Sequence, residues 1–145
     1  YVALRSGAPR GGPSSDRHHF FSTDNHLVYF NFFLDFGPLN LAQLYRFCQM
    51  LNRKLADPKL RNKAIYYFSG THAHKRTNSV FLICAWAMLY LNRTPEEAFK
   101  PFRGTSPPFP PFHDASPVAC TYHLSVLDCL RGLDQARAKK FFDFA

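Results

Sequence analysis

The sequence predicts an α/β layer fold, a sheet flanked by helices, and three observations carry that prediction. "KAIYYFSG", residues 63–70, is an unbroken apolar run bounded by charge on one side and Gly70 on the other, the pattern of a buried central strand. A short polar loop and then a long apolar helix, from about Arg76 to Asn92, follow it directly. Around this pair the chain runs strand, helix, strand, helix, helix, the alternation that layers helices on a sheet. No internal repeat is visible.

The elements follow in order. "YVALRS" at the start is β-prone, and because the first residue is Tyr1 rather than Met, the chain is expected to be a fragment of a longer protein. "GAPRGGPSSD" is rich in Gly, Pro and Ser and should be an exposed loop. "HHFFST" and "LVYFNF" flank the turn pair Asp24-Asn25, which predicts a hairpin or two adjacent strands. "DFGPLNLAQLYRFCQMLNRKLA" turns helical, with Leu41, Leu44, Tyr45, Cys48, Leu51 and Leu55 spaced to form one buried face, and Asp57-Pro58 ends it. Thr94-Pro95-Glu96-Glu97 supplies an N-cap, a proline at the first helical position and a capping-box glutamate. "FRGTSPPFPPFHD" is proline-rich and extended, and Ser116-Pro117 is expected to cap a last helix running to about Leu133.

With 145 residues the chain amounts to a single domain, residues 1–145, and its 46% hydrophobic and 19% charged composition fits a packed core. Sixteen phenylalanines imply either a ring-rich core or apolar surface that a partner covers. The net charge of +8 raises nucleic acid as a partner, but Lys and Arg are scattered and no stretch interleaves them with aromatics, so no nucleic-acid partner is expected. The apolar run from Val80 to Leu91 is too short to span a bilayer, and no membrane partner is expected. No signal peptide precedes the fold, so the protein is expected to be intracellular and the sequon at Asn92 unglycosylated. Cys48, Cys84, Cys120 and Cys129 each sit in an apolar helical pattern with no C-x-x-C pair, which predicts reduced thiols rather than disulfides or zinc.

Strand, loop and helix N-terminus is a layout that holds phosphate, because backbone N–H groups and the helix dipole converge there. Tyrosine and dual-specificity phosphatases place a nucleophilic cysteine at the strand end, five loop residues, and then an arginine whose guanidinium forks two phosphate oxygens. Counting back from Arg76, the cysteine position falls on Gly70; aligning the strand end instead puts Tyr67 or Phe68 there. Neither register supplies a nucleophile, so no catalytic residue is assigned. The loop is degenerate, and two readings stay open: an inert shell, or weak anion binding through Gly70, Lys75, Arg76, Thr77 and backbone amides. His72 with His74, and His18 with His19, lack a third ligand, so neither pair is expected to bind metal, and no cofactor is expected.

"DFGPLNLAQLYRFCQMLNRKL", "RTPEEAF", "PPFPPFHDASPVACTYHLSVLDCL" and the closing "FFDF" together resemble the N-terminal half of the cell-division-cycle-fourteen type dual-specificity phosphatases, the mitotic-exit phosphatases. The resemblance runs the length of the chain in order. It implies a dual-specificity-phosphatase-like sheet flanked by helices, packed beside a second domain of similar fold that carries the catalytic cysteine and arginine. The first domain has lost them and helps form an acidic groove that favours phosphoserine-proline sites with a basic residue downstream, the product of cyclin-dependent kinases.

By that resemblance the partners are a catalytic domain of the same polypeptide and phosphoprotein substrates, in nucleus and cytoplasm, with nucleolus, spindle or centrosome as sites. Asp114 in "FHDAS" matches the family's "FRDAS" segment and is the groove candidate; its structural alternative is capping the helix expected after Ser116. His113 stands where the family has arginine, and the glycine-rich stretch Gly7 to Ser15 is less charged than its family counterpart. The linker helix that supplies more of the groove's acid is not among these residues. The competing function is a stand-alone pseudophosphatase module that binds phosphoprotein or another anion through Arg76 without hydrolysing it, and the downstream reading frame discriminates: a second strand-loop-helix with His-Cys and Arg belongs only to the first.

Overall fold

A computed structural model describes residues 2–3 and 16–144. Most of "YVALRS" and the glycine-rich stretch 7–15 lie outside the described residues. The elements are β1 (Val2–Ala3), β2 (His18–Ser22), α1 (Leu41–Ala56), β3 (Ala64–Ser69), α2 (Ala73–Leu91), α3 (Pro95–Phe99) and α4 (Val126–Ala138), with single 3-10 turns at Pro58–Leu60 and Lys100–Phe102. The fold is mixed α/β. Its described sheet is small and parallel, in the order β1-β3-β2, with Val2 opposite Phe68 and Phe21 opposite Tyr67. The apolar run at 64–69 is therefore the central strand, hydrogen-bonded on both sides.

Local chemistry explains each helix start. Asn40 caps α1 and Gln43 returns the bond to the Asn40 amide, a reciprocal pair that satisfies two otherwise orphaned donors. Thr94 with Glu97 does the same for α3, and Pro95 loses no hydrogen bond at the first position. Asp57 accepts from Lys59 N–H, closing the turn after α1.

The buried stripe of α1 is Leu44, Phe47, Cys48 and Leu51. That corrects the predicted face: Leu41, Tyr45 and Leu55 are exposed, and Phe47, left out of the spacing, is completely buried with its ring 4.9 Å from Tyr67. Helix α2 runs through the centre of the core, burying Val80, Phe81, Leu82, Cys84, Ala85 and Met88. An apolar circumference marks a helix covered on several sides. It is tied to α1 by Trp86 Nε1 donating to Asn52 Oδ1 at 2.8 Å and to α4 by Arg137 donating to the Met88 carbonyl at 3.0 Å.

Two other expectations fail. "LVYFNF" is not a strand: the Asp35 carboxylate accepts from Tyr29 OH and from the amides of Phe32 and Phe33, and Asn31 donates to Phe33 O, so these groups fold the segment onto itself instead of onto a neighbouring strand. Ser116-Pro117 caps no helix. The chain runs as an irregular, bent loop to Leu124, and α4 begins at Val126 under Ser125, whose hydroxyl and Asp128 form the capping box. Cys120, expected in a helical pattern, lies in that loop.

The phenylalanines divide between core and surface. Phe21, Phe36, Phe47, Phe81 and Phe112 are core, whereas Phe30 at 90% and Phe32 at 76% exposure form an apolar surface with Phe33 and Leu34.

Candidate functional site

The β3–α2 junction is the place to look for phosphate chemistry. Strand β3 ends at Ser69, and Gly70, Thr71 and His72 lead into α2, with no thiol in the connection. The Gly70 amide donates to Asp24 Oδ2 at 2.7 Å. Asp24 reaches it from the turn after β2, where the amides of His26 and Leu27 both donate to Thr23 O and Thr23 Oγ1 lies 2.7 Å from Tyr67 OH. An internal carboxylate thus accepts from the first amide of the β3–α2 connection.

Arg76 is 4% exposed, its guanidinium donating to Pro107 O at 2.8 Å and lying 4.9 Å from the centre of the Phe109 ring. It fastens the proline-rich segment to the base of α2. Thr77 is fully buried and its hydroxyl donates to Ala73 O one turn back. Lys75 is exposed at the mouth of a cavity of about 400 Å³ whose rim carries Asp24, His72 and His74 and whose wall includes Leu27 and Leu82. The four loop candidates are therefore split: Lys75 lines the cavity, Gly70 is bonded to Asp24 beside it, and Arg76 and Thr77 are buried.

The histidines next to the loop have structural partners. His74 stacks on Phe36 with ring centres 3.9 Å apart, and burial together with His72 lowers its pKa. His19 Nε2 lies 3.0 Å from Lys54 Nζ, and burial, with that ammonium beside it, pushes the imidazole pKa down.

"DFGPLN" is the segment that walls the cavity. Asp35 organises the backbone before it, with Phe33 N–H first and then Tyr29 OH holding its carboxyl below the usual range. Phe36 and Leu39 are buried, and Asn40 caps α1. Gly37 allows the closest approach: a Cβ there would collide with Asn78 Oδ1 and lie 2.6 Å from the Phe112 ring, while Asn78 Nδ2 donates to Phe36 O at 2.6 Å. "RTPEEA" is as well occupied. Glu96 pairs with Arg131 Nε of α4 at 2.8 Å, and Cys84 Sγ donates to Ala98 O.

Two comparisons with known proteins bear on this arrangement. A family model described as "Dual specificity protein phosphatase, N-terminal half" matches residues 1–136. The chain belongs to that family. It is 50% identical to the human protein named "Dual specificity protein phosphatase CDC14A" over 145 residues, 99% of this chain and 24% of that protein. The mouse protein of the same name is 50% identical over 127 residues, 87% of this chain and 21% of its own length. "Tyrosine-protein phosphatase CDC14" of Saccharomyces cerevisiae is 32% identical over 124 residues, 86% of this chain and 22% of that protein. The resemblance seen in the sequence is thus a family relationship, and the chain spans about a quarter of the length of these relatives. This N-terminal-half relative of the CDC14 phosphatases is a member whose β3–α2 loop has its first amide on Asp24.

Asp114 is half-buried beside a neck formed by the Phe112–Leu124 bridge. Its Oδ1 accepts from Ser116 N–H at 3.2 Å and from the Ser116 hydroxyl, and the hydroxyl bond is the main reason its carboxyl is held below the usual range. It closes an Asx turn at Ser116 and caps no helix. The sequence reading missed what surrounds it: His113 Nδ1 is 3.6 Å from Asp114 Oδ1, and Asp114 N–H donates to Cys120 Sγ at 3.3 Å. The signal was the short H-D-x5-C spacing, hidden once Cys120 was assigned to a helix.

Proposed function

We propose that this chain is the non-catalytic, substrate-positioning half of a protein tyrosine/serine/threonine phosphatase acting on cyclin-dependent-kinase-type phosphoserine-proline sites in cell-cycle control. The observation that carries the proposal is the β3–α2 junction: it has the layout of a phosphate loop, yet no thiol, and its first amide and its arginine are both engaged within the chain. Under this reading it is a degenerate phosphate loop in a single domain, residues 1–145. The cysteine nearest the loop in sequence, Cys84, is buried inside α2 with its thiol pushed up to about 12 by desolvation, which removes its nucleophilic thiolate at neutral pH.

Chemistry then has to come from a catalytic domain of the same polypeptide. The exposed group Phe30, Phe32, Phe33 and Leu34 supports such a neighbour, because apolar surface of that kind is usually covered. Asp114 is the groove residue in this proposal, attracting a basic side chain downstream of a phosphosite on a phosphoprotein. Nucleus and cytoplasm are the proposed locations; no described helix is long and apolar enough to cross a membrane.

The test is hydrolysis of p-nitrophenyl phosphate by the 145-residue chain and by the longer polypeptide that carries it. Turnover is expected only from the longer one; turnover by the chain alone that disappears in Cys84→Ser would overturn the proposal. A second reading, a stand-alone pseudophosphatase that binds phosphoprotein or another anion, draws on exposed Lys75 at the cavity mouth. It requires phosphate or a phosphopeptide to raise the chain's melting temperature without being hydrolysed.

A further inference from the structure

We propose that His113, Asp114 and Cys120 form a binding site for a transition-metal dication of the zinc type. Among the described residues these three are the group whose ligand atoms, one imidazole nitrogen, one carboxylate oxygen and one sulfur, all lie within 4.8 Å of one another. They converge because their loop is pinned at its base. Phe112 and Leu124 form an antiparallel bridge with Phe112 N–H donating to Leu124 O at 2.8 Å, and the Phe112 side chain is buried against Phe36. Residues 113–123 therefore leave and re-enter the fold at one point.

Inside that loop the three ligands lie close together, each held by a bond within the loop. Asp114 offers its carboxylate beside His113 Nδ1, at 3.6 Å, while its own amide points at Cys120 Sγ, 3.3 Å away. All three side chains are half-buried, accessible to an ion yet partly screened from bulk water. Tetrahedral zinc, with bonds of about 2.0–2.3 Å, keeps its ligand atoms roughly 3.2–3.8 Å apart. The imidazole–carboxylate pair fits as it stands, and the sulfur closes by about an ångström. On binding, His113 Nδ1 leaves its 2.6 Å contact with Asp114 O, and Cys120 Sγ leaves Tyr122 O, to which it now donates.

The donor set chooses the metal. A thiolate with an imidazole and one carboxylate suits zinc or cobalt and is a poor match for calcium or magnesium, which take oxygen ligands. Coordination replaces the S–H bond of Cys120 by a metal–sulfur bond and releases one proton to solvent. Three protein ligands leave the fourth position to water, so the site is expected to be exchangeable rather than a folding staple.

The metal site does not depend on the phosphatase reading, and its test needs no substrate. The chain, reduced with a phosphine, is titrated with cobalt(II) alone. One equivalent is expected to produce thiolate-to-metal charge-transfer absorption, zinc is expected to bleach it, and Cys120→Ser, Asp114→Asn and His113→Arg are each expected to weaken binding about tenfold or more. Absence of the charge-transfer band, or full-strength cobalt binding by Cys120→Ser, overturns the site. Alkylation of the unmutated chain provides a readout that no folding defect can mimic: zinc should slow modification of Cys120, identified by peptide mass, about tenfold, and an unchanged rate overturns the proposal.

Discussion

The Gly70 amide donates to Asp24 Oδ2 across 46 residues of sequence, so the first amide of the β3–α2 loop is held by the protein's own carboxylate. Removing that carboxylate should both destabilise the chain and expose the donor. Asp24→Ala leaves a partly buried N–H unpaired, at a cost of about 1–3 kcal/mol. For a chain of this size the melting temperature should fall roughly 2–4 °C per kcal/mol. Inorganic phosphate should then raise the melting temperature of Asp24→Ala more than that of the parent. Equal phosphate shifts in the two would show that Asp24 does not occupy an anion position.

Arg76 makes the complementary point. Its guanidinium holds Pro107 O and covers Phe109, so it acts on the proline-rich segment. Arg76→Ala should cost about 2–3 kcal/mol, through an unpaired carbonyl and lost packing, and should increase proteolysis between residues 103 and 111. Phosphate affinity should not change. A variant with parental stability and weaker phosphate binding would return Arg76 to the loop.

Much of this arrangement can be read in the sequence, and the parts that cannot share a cause. The central strand, α2 and the Thr94 cap are local patterns, and each is found where periodicity or capping chemistry puts it. The loop's lack of a nucleophile needs only counting. What fails depends on particular side-chain bonds that strand and cap patterns do not encode. Asp35 folds the 29–33 segment away from strand geometry, and nothing in "LVYFNF" itself announces that. Ser116 looks like a cap because a proline follows it, yet it is bonded to Asp114 two residues back; the cap is Ser125, paired with Asp128 three residues on. Asp24 on Gly70 spans two elements and leaves no mark in either.

The buried thiols predict a pH dependence. Burial pushes both Cys48 and Cys84 from 9.0 up to about 12. A folded-state pKa above the unfolded one means that the folded chain holds the proton more tightly, so the stabilisation is complete below pH 9 and is lost as pH rises from about 9 towards 12. Denaturant midpoints should fall across that window, and Cys48→Ala combined with Cys84→Ala should flatten the fall. At neutral pH, iodoacetamide should modify Cys120 well before Cys48 or Cys84. Equal rates for the three would contradict the burial.

Asp114 separates a groove residue from a turn residue. Its Oδ1 closes the Asx turn by accepting from Ser116, and asparagine can do the same with its amide oxygen, so Asp114→Asn should keep the turn while removing the charge. In the longer polypeptide, a carboxylate that meets a downstream Lys or Arg contributes a partly exposed charge pair. Its loss should lower kcat/KM for a phosphopeptide bearing that basic residue by roughly two- to fivefold, most strongly at low ionic strength. Under the proposed function a small aryl phosphate does not reach the groove, and it should be hydrolysed at the parental rate. The purely structural role predicts another pattern: a lower melting temperature for Asp114→Ala, near-parental stability for Asp114→Asn, and no discrimination between the substrates in either. Kinetics on both substrates with both variants therefore decide the matter, and equal effects of Asp114→Asn on peptide and aryl phosphate would take Asp114 out of the groove.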